Sequence, residues 1–250
     1  MANALYLADF NVFFSGSFNE SSHFWTLSVE EQFYLIWLPI AIIAPLSLIK
    51  IVLFETIVFS FLFQIYAKIG HVPMSMVLPI TSADVLCSGA LLAIALRFGG
   101  RSVGWMAIIL SPKLIVPAAA LVVGDHLNLI AWMGVARIVV MPVLVTLCLT
   151  GLVRYSLSNI ECDSLNWLST PVLRHIGKIS YGLYIYHYFV PQIFDKFFPK
   201  IHDLMLNRYY ILIIFLISLA MTELSWVFLE KPVLRLKKIR LRRSVALQPI

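Results

Sequence analysis

Glu30 lies near the start of a long apolar stretch, where a carboxylate is costly unless it is hydrated, paired or functional. On a helix, Tyr34 and Trp37 follow at i+4 and i+7 and share its face. An acid, a phenol and an indole on one face could orient a general base or bind a sugar hydroxyl. Alternatively, Glu30 lies in the first helical turn after Ser28 as N-cap, where the helix dipole favours negative charge. The residue pattern by itself slightly favours this second interpretation.

Other candidate groups are spread along the chain. Ser180, Tyr184 and His187 recur at helical spacing, which predicts either a polar groove for a carbohydrate or acyl chain or an interfacial aromatic belt. His187 lies deeper than a belt requires, which favours the groove. His23 has an imidazole suited to general-base chemistry. A single histidine in a polar loop is, however, more often simply exposed.

Charged residues also occur inside apolar stretches, among them Asp84 and Arg137. Such groups normally face protein or water and find partners. Arg137 is predicted either to hold an anionic donor group or to pair with Asp84 or Glu223, and both alternatives stay open. The three cysteines have no spacing typical of a metal site or of a disulfide framework. No metal is therefore predicted.

These groups must be positioned by membrane helices. Hydrophobic residues make up 60% of the 250 positions, charged residues 13%, and mean hydropathy is +0.89. A soluble domain would need more polar surface, so the class is all-α, a polytopic membrane helix bundle. Seven stretches are long enough to span a bilayer: 32–49, 51–69, 78–97, 105–123, 129–153, 179–198 and 209–229. Little more than Lys50 separates the first two, which predicts a tight antiparallel pair.

Basic residues set the predicted orientation of these spans. Alternating the spans places thirteen Lys and Arg on one side and four on the other. The larger group, which includes the basic tail at 237–250, is predicted to be cytoplasmic, and the N-terminus to lie outside. The net charge of +6 is therefore attributed to basic residues that set the orientation in the membrane, and not to nucleic-acid binding.

The stretch from His23 to Tyr34, HFWTLSVEEQFY, resembles the signature of acyltransferase family 3, His-x-Trp-Ser-Leu-Ser-x-Glu-x-Gln-Phe-Tyr. Thr26 replaces the usual serine. The segment from Ile176 to His187 is similar to the family's Gly-x-x-Ser-Tyr-x-x-Tyr-x-x-His, and Glu230-Lys-Pro232 to its closing Glu-x-Pro. The resemblance extends over nearly the whole chain, so residues 1–236 are predicted to be one membrane domain of this family.

The resemblance implies an acyltransferase that moves an acyl group other than an amino-acyl group, usually acetyl from acetyl-coenzyme A, to a hydroxyl of an extracytoplasmic carbohydrate or glycolipid. It implies no bound cofactor and a bacterial inner-membrane location. It also favours a supporting catalytic role for Glu30. The residues it suggests for substrate binding are His23, Trp25, Ser28, Tyr34, Ser180, Tyr184 and His187, and Arg137 is added to them because of its charge inside an apolar stretch.

One family feature has no match in these residues. The family usually has about ten spans, and the first carries the histidine taken to be the catalytic base. The chain therefore resembles a member lacking its first three spans, which agrees with seven spans and an outside start. Two alternatives remain at this point: an inactive remnant of such an enzyme, or a transporter, although no repeat or broken helix typical of transporters is evident.

Overall fold

The computed structural model describes residues 6–18, 22–98, 109–129, 134–158, 169–197 and 207–234. The regular structure within these ranges is helical, as predicted. The helices are α1 (Ala8–Ser15), α2 (Trp25–Ile43), α3 (Leu46–Ile69), α4 (Pro79–Phe98), α5 (Pro112–His126), α6 (Gly134–Ser158), α7 (Pro171–Phe197) and α8 (Asn207–Ser225), and a π-helical turn, Trp226–Glu230, continues α8. The basic tail at 237–250 lies outside the described residues.

Five described helices are long and apolar enough to cross a membrane: Trp25–Ile43, Leu46–Ile69, Ser75–Phe98, Ala136–Leu157 and Tyr209–Leu234. They confirm an all-helical membrane protein, but not the predicted number of about seven spans. The stretch 105–123 corresponds to α5, which has only 15 residues. The stretch 179–198 lies in α7, which is 27 residues long but rich in tyrosine, histidine and charged side chains that lower its hydropathy.

The first two spans meet at Ala44 and Pro45, and the predicted boundary at Lys50 is wrong. Ala44 is extended, with ψ 146°, because the residue before a proline avoids the helical region. Pro45 is also extended and precedes the first turn of α3. Lys50 therefore lies inside α3, and α2 starts at Trp25 rather than at residue 32.

The chain divides into two compact units, Met1–Ile160 and Glu161–Ile250. In the first unit, α3 packs along α4 around Ile49, Leu53 and Cys87. Helix α6 packs against α5, and it approaches closely at Gly151. A Cβ added to Gly151 would lie 2.4 Å from Ile115 Cδ1, so only glycine fits this contact without rearrangement.

In the second unit, α7 packs against α8. His175 Nε2 lies 2.6 Å from Glu223 Oε1, and the Tyr210 hydroxyl donates to Asp195 Oδ1 at 2.7 Å. The helices come together at Gly182, where an added Cβ would lie 3.0 Å from Thr222 Cγ2 and 3.2 Å from Glu230 Oε1.

Replacing Gly182 with Ala is expected to destabilise the second unit, because the rotamer of Thr222 is fixed by its hydrogen bond to the Ser218 carbonyl. Crowding of this kind costs about 1–3 kcal/mol. Gly177→Ala in the same helix is the matched control, since nothing lies within 4 Å of its added Cβ. Both variants gain helix propensity, so that gain cancels in the comparison. Unfolding of the purified protein by titration with a denaturing detergent measures the difference, and equal stabilities would contradict the close contact.

Candidate functional site

Two residues of the 23–34 stretch attach α1 to α2. Ser28 is buried, and its hydroxyl accepts the Ala8 N–H at 3.3 Å and donates to the Phe24 carbonyl at 3.0 Å. Gln32 Nε2 donates to the Tyr6 carbonyl at 2.6 Å and to Asp9 Oδ1 at 3.0 Å. The prediction of Ser28 as N-cap is wrong, because α2 starts at Trp25 and no side chain caps it.

Asp9 is fully buried in this contact. Within the part of the chain that the structure describes, its Oδ2 has no hydrogen-bond partner. Burial raises the pKa of Asp9 above its ordinary value, and hydrogen bonds from Gln32 and the backbone offset only part of that effect. The folded protein therefore holds the Asp9 proton more tightly than the unfolded chain does.

A different side of α2 lines a cleft of about 450 Å³. The start of α2, the end of α3, the start of α4 and the first half of α6 all contribute to it, so one end of the first unit forms its walls. Its lining residues are Trp25, Thr26, Val29, Glu30, Gln64, Lys68, Thr81, Ser82, Asp84, Val85, Leu86, Met141, Pro142, Val145 and Thr146. Of the predicted site residues, Trp25 and Glu30 are brought together here.

Asp84 is the centre of a hydrogen-bond network behind this cleft. The carboxylate is only 2% exposed. Thr146 donates to Oδ2 at 2.5 Å and Gln64 Nε2 donates to Oδ1 at 3.2 Å. Ser60 donates its hydrogen to the Ile80 carbonyl at 2.6 Å and accepts the Asp84 N–H at 3.3 Å. Two side-chain donors thus satisfy the buried carboxyl group, and the network joins α3, α4 and α6.

Glu30 and Lys68 are the exposed charged residues of the cleft. Among the described ion pairs, none joins the two side chains. A carboxylate and an ammonium group are thus both available to a polar ligand in the same cleft.

Tyr34 and Trp37 lie elsewhere. With Phe33 they line a second cleft of about 410 Å³, and Glu30 does not contribute to it. Trp37 stacks on Phe33 with ring centroids 6.0 Å apart. Glu30 lines the first cleft, and Tyr34 and Trp37 line the second, so neither of these two clefts receives all three side chains.

His23 and Arg137 occupy the ends of elements. His23 is half-buried in the turn before α2, with its ring centroid 4.1 Å from that of Phe24. Arg137 lies in the first turn of α6 with a 58% exposed side chain, and not deep in a span as predicted. Its Nε and Nη2 reach the two carboxylate oxygens of Asp125 at 2.9 and 3.1 Å. Arg137 thus pairs with a residue that the sequence interpretation did not consider.

In the second unit, the predicted groove residues are close neighbours on α7. The rings of Tyr184 and His187 lie 5.7 Å apart, and His187 Nδ1 is 3.1 Å from the Leu183 carbonyl. Ser180 is exposed and donates to the Gly177 carbonyl at 3.0 Å. The tyrosine and histidine therefore form a local aromatic pair.

Sequence reasoning missed most of the polar wall of the cleft. Ser60, Gln64 and Lys68 follow one another at intervals of four residues, which puts them on one face of α3. A polar stripe in an otherwise apolar span is a signal for a polar interior. Thr146, with Thr150 one turn later, is the corresponding signal on α6.

Comparison with known proteins gives one finding. The model of a protein family described as an acyltransferase domain matches residues 3–229. All cleft residues, from Trp25 to Thr146, lie inside the match. Neither a curated protein nor a solved structure matches the chain.

Proposed function

Because this chain belongs to acyltransferase family 3, we propose that it is a membrane O-acyltransferase that moves an acetyl group from acetyl-coenzyme A to a hydroxyl of an extracytoplasmic carbohydrate or glycolipid. The observation that carries the proposal is the cleft itself, which combines the exposed carboxylate of Glu30 with polar groups from three other helices. Clefts with a few convergent polar groups are the usual sites of small-molecule chemistry.

The reaction requires an acceptor hydroxyl to attack the thioester carbonyl. A C–O bond forms, the C–S bond breaks, the hydroxyl proton passes to a base and coenzyme A leaves as the thiol. A positioned carboxylate stabilises the attacking hydroxyl or the protonated base, and a nearby cation stabilises the developing oxyanion. We assign the first role to Glu30 and the second to Lys68, which line the same cleft.

The proposed orientation places this cleft on the outer side of a bacterial inner membrane. Lys50, Arg97 and Arg154 lie near the start of α3 and the ends of α4 and α6, away from the cleft. The positive-inside rule assigns that end, and the basic tail, to the cytoplasm. In this topology α5 and α7 supply two crossings besides the five long apolar helices.

Transfer of radiolabel from [¹⁴C]acetyl-coenzyme A tests the proposal. Membranes containing the chain are expected to incorporate alkali-labile label into carbohydrate or glycolipid, and membranes with empty vector are the control. Mild alkali cleaves an ester but leaves an amide, so it identifies O-transfer. Label incorporation no higher than in the vector control would contradict the proposed function.

A further inference from the structure

The polar wall of the cleft has used its hydrogen-bond donors within the protein. Gln64 Nε2 lies 3.0 Å from the Thr81 carbonyl, 3.2 Å from Asp84 Oδ1 and 3.3 Å from Ser60 Oγ. A carbonyl and a carboxylate oxygen only accept hydrogen bonds, so the amide nitrogen must point toward them. The oxygen Oε1 is therefore the end of Gln64 that remains for a ligand, and it can only accept.

Two hydroxyl groups of the wall also donate their hydrogens to protein oxygens. Thr146 Oγ1 donates to Asp84 Oδ2 at 2.5 Å, and Thr81 Oγ1 donates to the Leu78 carbonyl at 2.6 Å. A hydroxyl carries one hydrogen, so both oxygens can offer a ligand only lone pairs. Asp84 holds this arrangement in place because its two oxygens accept hydrogens from Thr146 and Gln64.

Donors to a ligand come from other parts of the cleft. Lys68 supplies an ammonium group, Trp25 an indole N–H and Ser82 a hydroxyl. The side formed by Gln64, Thr81 and Thr146 is a row of acceptors on α3, α4 and α6.

We propose that Gln64, Thr81 and Thr146 determine which acyl acceptor binds, because they accept hydrogen bonds from the hydroxyl hydrogens of a carbohydrate. Asp84 is the positioning residue that orients Gln64 and Thr146. This inference rests on the proposed function, because it assigns the acyl acceptor to this cleft. The ligand chemistry that such a wall selects is a polyol, whose hydroxyls can all donate.

Fluorinated sugars distinguish an acceptor wall from a donor wall. Replacing a hydroxyl by hydrogen removes both roles of that group, whereas replacing it by fluorine removes only the ability to donate. Against a row of acceptors, the deoxy and deoxyfluoro analogues must lose affinity together. Against a row of donors, the deoxyfluoro analogue would keep much of its affinity.

The experiment titrates the purified full chain in detergent with methyl glucoside, methyl N-acetylglucosaminide and their monodeoxy and monodeoxyfluoro analogues, using saturation-transfer NMR. At one or more hydroxyl positions, both replacements are expected to weaken binding about tenfold. Thr146→Val is expected to abolish that loss at one position, and Thr146→Ser to restore it. Thr150→Val is the matched control, since Thr150 lies one turn further along α6 and does not line this cleft.

Three results would overturn the inference: no binding of either glycoside, fluoro analogues that bind as tightly as the parent sugars at every position, or an unchanged pattern in Thr146→Val.

Label transfer is measured on the same preparations, with the KM for acetyl-coenzyme A expected to stay unchanged in Thr146→Val while the KM for the sugar rises. The expected binding pattern without label transfer would support the hydrogen-bond acceptor role of Gln64, Thr81 and Thr146 and would refute the proposed transferase activity. Label transfer without this binding pattern would support the transferase and refute the proposed row of hydrogen-bond acceptors.

Discussion

Replacing Glu30 with Gln is expected to lower the rate of acyl transfer by about a hundredfold or more, which is the usual contribution of a positioned acid or base. Glutamine keeps the size of the side chain and one acceptor oxygen, but it removes the negative charge and the second carboxylate oxygen. Glu30 is exposed within the cleft and has no ion-pair partner among the described residues, so the carboxylate is available to a ligand there. The rate of label transfer from acetyl-coenzyme A measures the effect.

Glu31→Gln is the matched control for this experiment. Glu31 is the next residue of the same helix and is also exposed, but it does not line the cleft. The control variant is expected to retain near-normal transfer, because the two carboxylates point about 100° apart around the helix. Near-normal transfer by Glu30→Gln, with protein levels equal to the wild type, would refute the assignment.

Replacing Asp84 with Ala removes an acceptor from two donors at once: Gln64 and Thr146. Removing a buried charge can stabilise a protein, but only when its partners are removed with it. Here both donors stay behind without this acceptor. Hydrogen bonds inside membrane proteins contribute about 0.6 kcal/mol on average and at most about 1.7 kcal/mol. The two together predict a loss of about 1–3 kcal/mol in the free energy of unfolding.

Unfolding by a denaturing detergent measures this loss, with Gly89→Ala as control. Gly89 lies in α4 with Asp84, and nothing lies within 4 Å of its added Cβ. Asp84→Asn is expected to fall between the two, because an amide oxygen replaces one carboxylate oxygen while its NH₂ group faces a donor. An Asp84→Ala variant as stable as Gly89→Ala would show that the network does not hold α3, α4 and α6 together.

The ends of α2 were predicted wrongly, although the sequence contains local signals for both of them. The Ala44-Pro45 step carries its own information, because proline restricts its own backbone and that of the residue before it. The prediction from hydropathy alone placed the boundary at Lys50 instead. Lys50 lies inside α3, because a lysine side chain is long enough to extend its charge from a helix to a polar region. The start of α2 was missed for a similar reason, since the polar residues between Trp25 and Glu31 lower the hydropathy of this span but form regular helix.

The sequence by itself determined that the chain is helical and membrane-embedded, and that Glu30 belongs to a family signature, since apolar composition and short motifs are local properties. Only the tertiary structure decided what each motif residue contacts. Ser28 and Gln32 turn toward α1, about twenty residues earlier, while Glu30 faces the cleft. Asp84 meets Thr146 across 62 residues. Helical periodicity tells which side chains share a face, but which face meets which neighbour depends on packing between distant segments, and that choice sets the chemistry of the cleft.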